Sequence, residues 1–210
     1  MSRWVRALLG TVVVLALAGV AAVSWLELRD AGSCVAAQRD LDGRCVRLDV
    51  APDVAAADLR PTGGRFEAPA QGLDVPLVTM SASGGVVNPP TLTEAFEVRD
   101  PDRESPAGTR PRVVAVHAVR DGNAPGNAFV EPGGHEPALR VARGDVLRVD
   151  GTRYVVEEAE VVSKAQAAAS DEIWGRLPDG AARLVVLTCL QREGAVGPAR
   201  DNLVIHAVRA

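Results

Sequence analysis

The sequence predicts an all-β domain, a closed or nearly closed barrel of short strands, preceded by an N-terminal transmembrane helix. Three observations carry that expectation. From residue 62 onward, short Val- and Leu-rich runs alternate with Gly, Pro, Asn and Asp clusters, the pattern of strands joined by tight turns in a barrel. The chain holds 20 Gly and 14 Pro in 210 residues, which suits turns better than long helices. The hydrophobic fraction is 47% against 3% aromatic, so the core must be built from Val, Leu and Ala.

At the N-terminus, Arg3 and Arg6 precede an uncharged run from Ala7 to Leu26. A helix of about 20 residues spans about 30 Å, the thickness of a bilayer's hydrocarbon core. Trp4 and Trp25 stand near its two ends, where amphipathic rings favour the membrane interface. Residues 1–6 then read as a cytoplasmic N-terminus and 7–26 as a transmembrane anchor. The flanking arginines predict a single-pass protein of the cell membrane, with the N-terminus inside and the rest of the chain outside the cytoplasm. A cleaved signal peptide is the alternative, with Ala16-Leu17-Ala18 as its cleavage site.

Residues 27–61 are polar, rich in Ala and Asp, and lack strand alternation. They read as an extracytoplasmic stalk. Cys34 and Cys45, with ten residues between them, are expected to pair in an oxidising compartment and close a small loop, worth at most about 3 kcal/mol by chain entropy. Cys189 is then left over, and an odd cysteine in an exported chain is a candidate reactive thiol.

The expected domain runs from 62 to 210. Its strand-like runs are Leu73 to Thr79, Arg112 to Val116, Asp145 to Val149, Arg153 to Val162, Leu184 to Thr188 and Asn202 to Val208. Asp150-Gly151 between valine-containing runs is a hairpin signal. Ser163 to Ser170, with four alanines, is the one stretch that reads as helical at any length, and the segment from Arg99 to Arg112 reads as an exposed loop.

Chemically capable residues fall where these runs end. Leu184 to Leu187 is a continuous apolar run, as in a strand buried on both faces, and it leads into Thr188-Cys189. The run Arg112 to Val116 leads into His117, and Arg200 opens the last run. If the last two runs pair antiparallel, Cys189 and Arg200 face one mouth of the barrel. A thiol needs help to act near neutral pH, because its ordinary pKa is about 8.5 and a neighbouring cation favours the thiolate. Acyl transfer needs donors aimed at the developing oxyanion, which a guanidinium supplies. Each residue alone has a plainer role: a packed thiol, a hydrogen-bonding imidazole, a surface ion pair. The combination is what points to chemistry. Arg192 is the competing oxyanion arginine. His206 reads as a packing residue within the last strand and His135 as a rim residue, and three scattered histidines give no metal-ligand spacing. A net charge of −4 excludes the basic excess of a nucleic-acid binder.

Val185-Val186-Leu187-Thr188-Cys189, Arg200-Asp201-Asn202 and His117 followed by Gly126-Asn127-Ala128-Phe129 together resemble the sortase family, and within it the class E/F-like sortases of actinobacteria. The resemblance covers roughly Arg65 to Val208. Phe66-Glu67-Ala68-Pro69 to Val75-Pro76-Leu77 looks like the opening strands of that branch, and Asn88-Pro89-Pro90 fits the turn after the next strand. The resemblance implies an eight-stranded barrel and a cysteine transpeptidase that needs no cofactor or metal. Cys189 would attack a sorting-signal peptide and form a thioacyl enzyme. His117 would protonate the leaving amine, Arg200 would stabilise the oxyanion and Thr188 would line the site. An amine of the cell envelope, or water, would resolve the intermediate. The rival expectation is a non-catalytic exported β-domain serving as an adhesion or scaffold module, with Cys189 used for packing.

Overall fold

The computed structural model describes residues 34, 37–51, 57–82, 87–99, 109–131, 137–178 and 181–210. The chain divides into two compact units, Met1–Ala37 and Gln38–Ala210, and the second holds all the described strands. These are β1 (Gln38–Arg39), β2 (Cys45–Val46), β3 (Arg60–Ala68), β4 (Leu73–Ser81), β5 (Ala95–Arg99), β6 (Arg112–Val116), β7 (Val146–Val149), β8 (Thr152–Ser163), β9 (Arg183–Cys189) and β10 (Asp201–Arg209).

Strands β3 to β10 close into an eight-stranded barrel in the order β10-β8-β7-β3-β4-β5-β6-β9. The expected barrel is therefore present. Its pairings are antiparallel except for β4 with β5 and β6 with β9. Closure leaves no free sheet edge. The Asp150-Gly151 signal is used as read. Both residues have positive φ, 50° and 72°, the backbone of a type I′ hairpin turn, and they join β7 to β8.

The barrel interior is apolar. Phe66, Leu77, Val114, Leu147, Leu184, Val186, Leu203 and Ile205 belong to one buried cluster. All three Phe of the chain are fully buried, and Phe66 and Phe129 meet at a tilted 6.4 Å between ring centroids. Each such side chain contributes up to about 1.5–3 kcal/mol by leaving water.

Side-chain alternation sends every second residue of these strands outward. Two short helices, α1 (Lys164–Ala169) and α2 (Asp171–Trp174), cover part of that outer face. Ala167 and Ile173 pack there on Val113, Val185, Leu187 and Val204. Helix α1 starts where the sequence suggests. The Ser163 hydroxyl accepts from the Gln166 backbone N–H, and the Gln166 side chain reaches back to Ser163, a reciprocal cap.

The β1–β2 hairpin lies in the segment expected as a stalk, yet it packs on the domain. Val46 is buried with Leu92, Val119 and Ala124. The buried Asp40 carboxylate accepts from the backbone N–H groups of Asp42, Arg44 and Asn123 at 3.0, 2.8 and 2.8 Å. Burial pushes this carboxyl up, but those donors and the Arg44 guanidinium outweigh it and hold Asp40 below its ordinary value.

The expected N-terminal transmembrane helix is corrected here. Among the described residues no helix is long and apolar enough to cross a membrane. The longest, α1, has six residues and extends about 9 Å, against about 30 Å of hydrocarbon. The run 7–26 lies outside the described residues. Among the described residues the fold is the barrel without a membrane helix. The single-pass cell-membrane localisation and the membrane as a partner through that helix fall with it.

Candidate active site

Strands β6 and β9 run parallel, with Val116 opposite Thr188. Both end at the same rim, and one further step in that register sets His117 beside Cys189. Alternation decides which way they face. On β9, Leu184 and Val186 point into the barrel, while Val185 and Leu187 point outward. Thr188 follows the first set and Cys189 the second. On β6, Val114 and Val116 point inward, which leaves His117 on the outer side. The two reactive groups therefore meet on the outer face near the rim, beside the apolar cap made by the short helices.

They share a cavity of about 250 Å³, near the lower end for small-ligand sites. Its wall includes Cys45 to Val50, which is β2 and the residues that follow it, together with Asn88, Ala118 to Asp121, Lys164, Gln191, Pro198 and Ala199. An Arg120–Asp49 ion pair at 3.1 Å ties the hairpin side of the wall to the histidine side. Cys189 is the free cysteine of the chain, while Cys34 and Cys45 are disulfide-bonded.

His117 is buried, and its Nε2 donates to the Pro89 carbonyl at 2.5 Å. The neutral ring then keeps its proton on Nε2 and its lone pair on Nδ1, the nitrogen left to accept a proton. Burial pushes the imidazole below its ordinary range. The Pro89 carbonyl opposes that fall and the Lys164 ammonium adds to it. Burial pushes the Cys189 thiol up. The Lys164 ammonium pulls it back, while Asp49 adds to the rise. Both directions favour the uncharged pair, a thiol beside a neutral imidazole.

Arg200 sits just before β10. Asn202 is the cross-strand partner of Cys189, and alternation keeps Arg200 on the same outer face. Its side chain, however, is exposed and lines a neighbouring hollow with Arg120, Leu190, Gln191 and Arg192. It does not line the Cys189–His117 cavity. Arg192 is held by the Asp201 carboxylate at 2.5 Å, which occupies the competing guanidinium. Thr188 is buried and lies outside the cavity wall. Its hydroxyl has no hydrogen-bond partner and packs under Gly126, where an added Cβ would come within 2.0 Å of it. His206 is buried beside Glu160 at 3.3 Å, and His135 lies outside the described residues.

Three contributors were not singled out by sequence reasoning: Lys164, the Pro89 carbonyl and the Asp49–Arg120 pair. A cue for Lys164 existed, since it is the only lysine among the 23 Lys and Arg. The other two depend on loop paths with no local signal.

No family model and no curated protein matches the sequence. Solved structures do. Sortase C-1 from Actinomyces oris superposes with a TM-score of 0.50 at 16% identity, covering 72% of this chain and 73% of that one. Sortase A from Listeria monocytogenes gives 0.48 at 14% identity, covering 70% and 86%. Sortase C from Clostridium perfringens gives 0.47 at 16%, covering 78% of each. At such identities the likeness to the Actinomyces oris protein is one of fold, and the fold it gives this chain is that of the sortases.

Proposed function

We propose that this protein is a cysteine transpeptidase of the sortase type, with Cys189 as nucleophile, His117 as its proton partner and Arg200 as oxyanion donor. One observation carries the reading: a free thiol and a histidine end neighbouring parallel strands and line one cavity. A neutral imidazole with its lone pair on Nδ1 takes the thiol proton as sulfur attacks the peptide carbonyl carbon. The C–S bond forms and the carbonyl π electrons move to oxygen. As the tetrahedral species collapses, the C–N bond breaks, and the imidazolium returns the proton to the leaving amine. A second amine then attacks the thioester and expels the thiolate. Arg200, on the same face and with no hydrogen bond from its side chain to any described residue, is free to turn toward the developing oxyanion. Thr188 serves this site by holding the wall behind Cys189.

The substrate class is a sorting-signal peptide, and the acceptor an amine of the cell envelope. The Arg200-Asp201-Asn202 and Thr188-Cys189 matches favour the class E/F-like branch of actinobacteria. The test is ligation. The full chain is incubated with peptides bearing Leu-Pro-X-Thr-Gly-like signals and with a short glycine peptide as acceptor. A ligated product that requires Cys189 is expected. Absence of ligation and of cleavage with every such peptide would overturn the reading.

A further inference from the structure

Every cation in this chain but one is an arginine or the N-terminal amine, and the one lysine stands at the Cys189 cavity. A lysine differs from an arginine in ways that matter beside a thiol. Its ammonium is a compact point charge with three rotatable donors, and it adjusts to its surroundings more readily than a guanidinium.

The position of Lys164 is set by the backbone. It is the first residue of α1, after the last residue of β8. Ser163 pairs with Asp201 across β8 and β10, and the Lys164 N–H donates to the Arg200 carbonyl at 3.1 Å. Since Asn202 faces Cys189 on the other side of β10, this bond anchors the root of Lys164 two residues away from the thiol's cross-strand partner. The reciprocal cap at Ser163 fixes the start of the helix. The side chain then joins Cys189 and His117 in the cavity wall, whereas the Arg200 side chain lines the hollow next door.

We propose that Lys164 is a further functional residue of this site: its ammonium is the counter-cation for the negative charge that develops on the Cys189 sulfur as His117 takes the thiol proton, which leaves Arg200 for the oxyanion. This deepens the transpeptidase reading and rests on Cys189 being the nucleophile. The charged and titratable groups in the cavity are Arg47, Asp49, His117, Arg120, Asp121 and Lys164. Asp49 pairs with Arg120, and Lys164 is the cation that lowers the thiol and disfavours a proton on His117. Lys164 is exposed, so solvent screens its effect.

The test is the pH profile of Cys189 alkylation by iodoacetamide in the full chain, read for the parent, Lys164→Met and Arg200→Ala. Alkylation needs no peptide substrate, so its outcome is separate from that of the ligation assay. Removing the ammonium is expected to slow alkylation at pH 8 by about three- to tenfold and move the profile to higher pH, since a nearby opposite charge shifts a pKa by about one unit or more. Arg200→Ala is expected to keep the parent profile. A parent-like profile in Lys164→Met, or an equal or larger slowing in Arg200→Ala, overturns the assignment. A second measurement needs no substitution at Lys164. With lysine-selective 15N labelling, the single side-chain signal should titrate with Cys189 and lose that inflection in Cys189→Ala. A Lys164 signal indifferent to Cys189 overturns it as well.

Discussion

The two faces of β9 make different things from neighbouring residues. Inward, Leu184, Val186 and Thr188 complete the barrel interior, and the last of them is a hydroxyl with no partner, sealed under Gly126. Outward, Val185 and Leu187 meet the short helices, and the next residue in that row is Cys189, at the edge of the apolar cap and open to a cavity. One step along the strand separates a packing residue from a reactive one. The difference comes from period-two alternation and from the point where the helical cover stops. A thiol at the edge of such a cap is desolvated enough to be raised, yet reachable by His117, Lys164 and a peptide.

The contrast can be broken from either side. The largest effect is expected from Cys189→Ala, which should abolish ligation while leaving the melting temperature nearly unchanged, because the side chain is at the edge of the packed layer. Marked unfolding in a thermal melt would instead assign Cys189 a packing role. Next comes His117→Gln, which should lower kcat/KM by roughly 10²–10⁴ in a peptide-cleavage assay by removing the proton relay. The parent's acid limb should also fall below pH 6.5. The imidazole must be neutral to accept the thiol proton, and burial depresses its pKa, so activity is retained until the pH drops through that lowered value. His117→Gln should lack this limb.

On the inward face the effects are on stability. Gly126→Ala should cost about 1–3 kcal/mol in a denaturant melt, since the new Cβ would approach Thr188 Oγ1 to 2.0 Å and the His117 carbonyl to 2.6 Å. It should also disturb activity by moving His117. Smallest is Thr188→Val. Valine has nearly the shape of threonine and removes a buried, unpartnered hydroxyl, so stability should rise by up to about 1 kcal/mol with ligation retained. Loss of activity there would place Thr188 in contact with substrate.

Much of the barrel was legible because its strands are punctuated by residues with strong backbone preferences. Asp150-Gly151 announces a turn, and the run before Cys189 is apolar enough to read as a doubly buried strand. The strand β3 was not legible as a run. It carries Pro61, Gly63 and Gly64 and a register shift between Pro61 and Arg65, so it shows no alternation, and it came into view only near Phe66 through a family resemblance. The short β5 is half polar and was missed. The site was legible as strand-end residues, but not as a geometry. Antiparallel pairing of β9 and β10 follows from a short loop, whereas the parallel pairing of β6 with β9 joins residues about seventy positions apart and has no local signal. That pairing brings His117 to Cys189. Alternation from the Asn202–Cys189 pair puts Arg200 on the outer face, yet its side chain turns to the adjacent hollow. Lys164 stayed hidden because its approach to the thiol passes through β10, two pairings away in the sheet.

The most direct test of the central claim is the intact mass of the full chain after brief exposure to a sorting-signal peptide, with acid quenching before resolution. The account predicts a mass increase equal to the acyl fragment of the peptide, located on Cys189, released by hydroxylamine as expected of a thioester, and missing from Cys189→Ala. An unmodified Cys189 under conditions where the peptide is cleaved, or an adduct elsewhere in the chain, would contradict it.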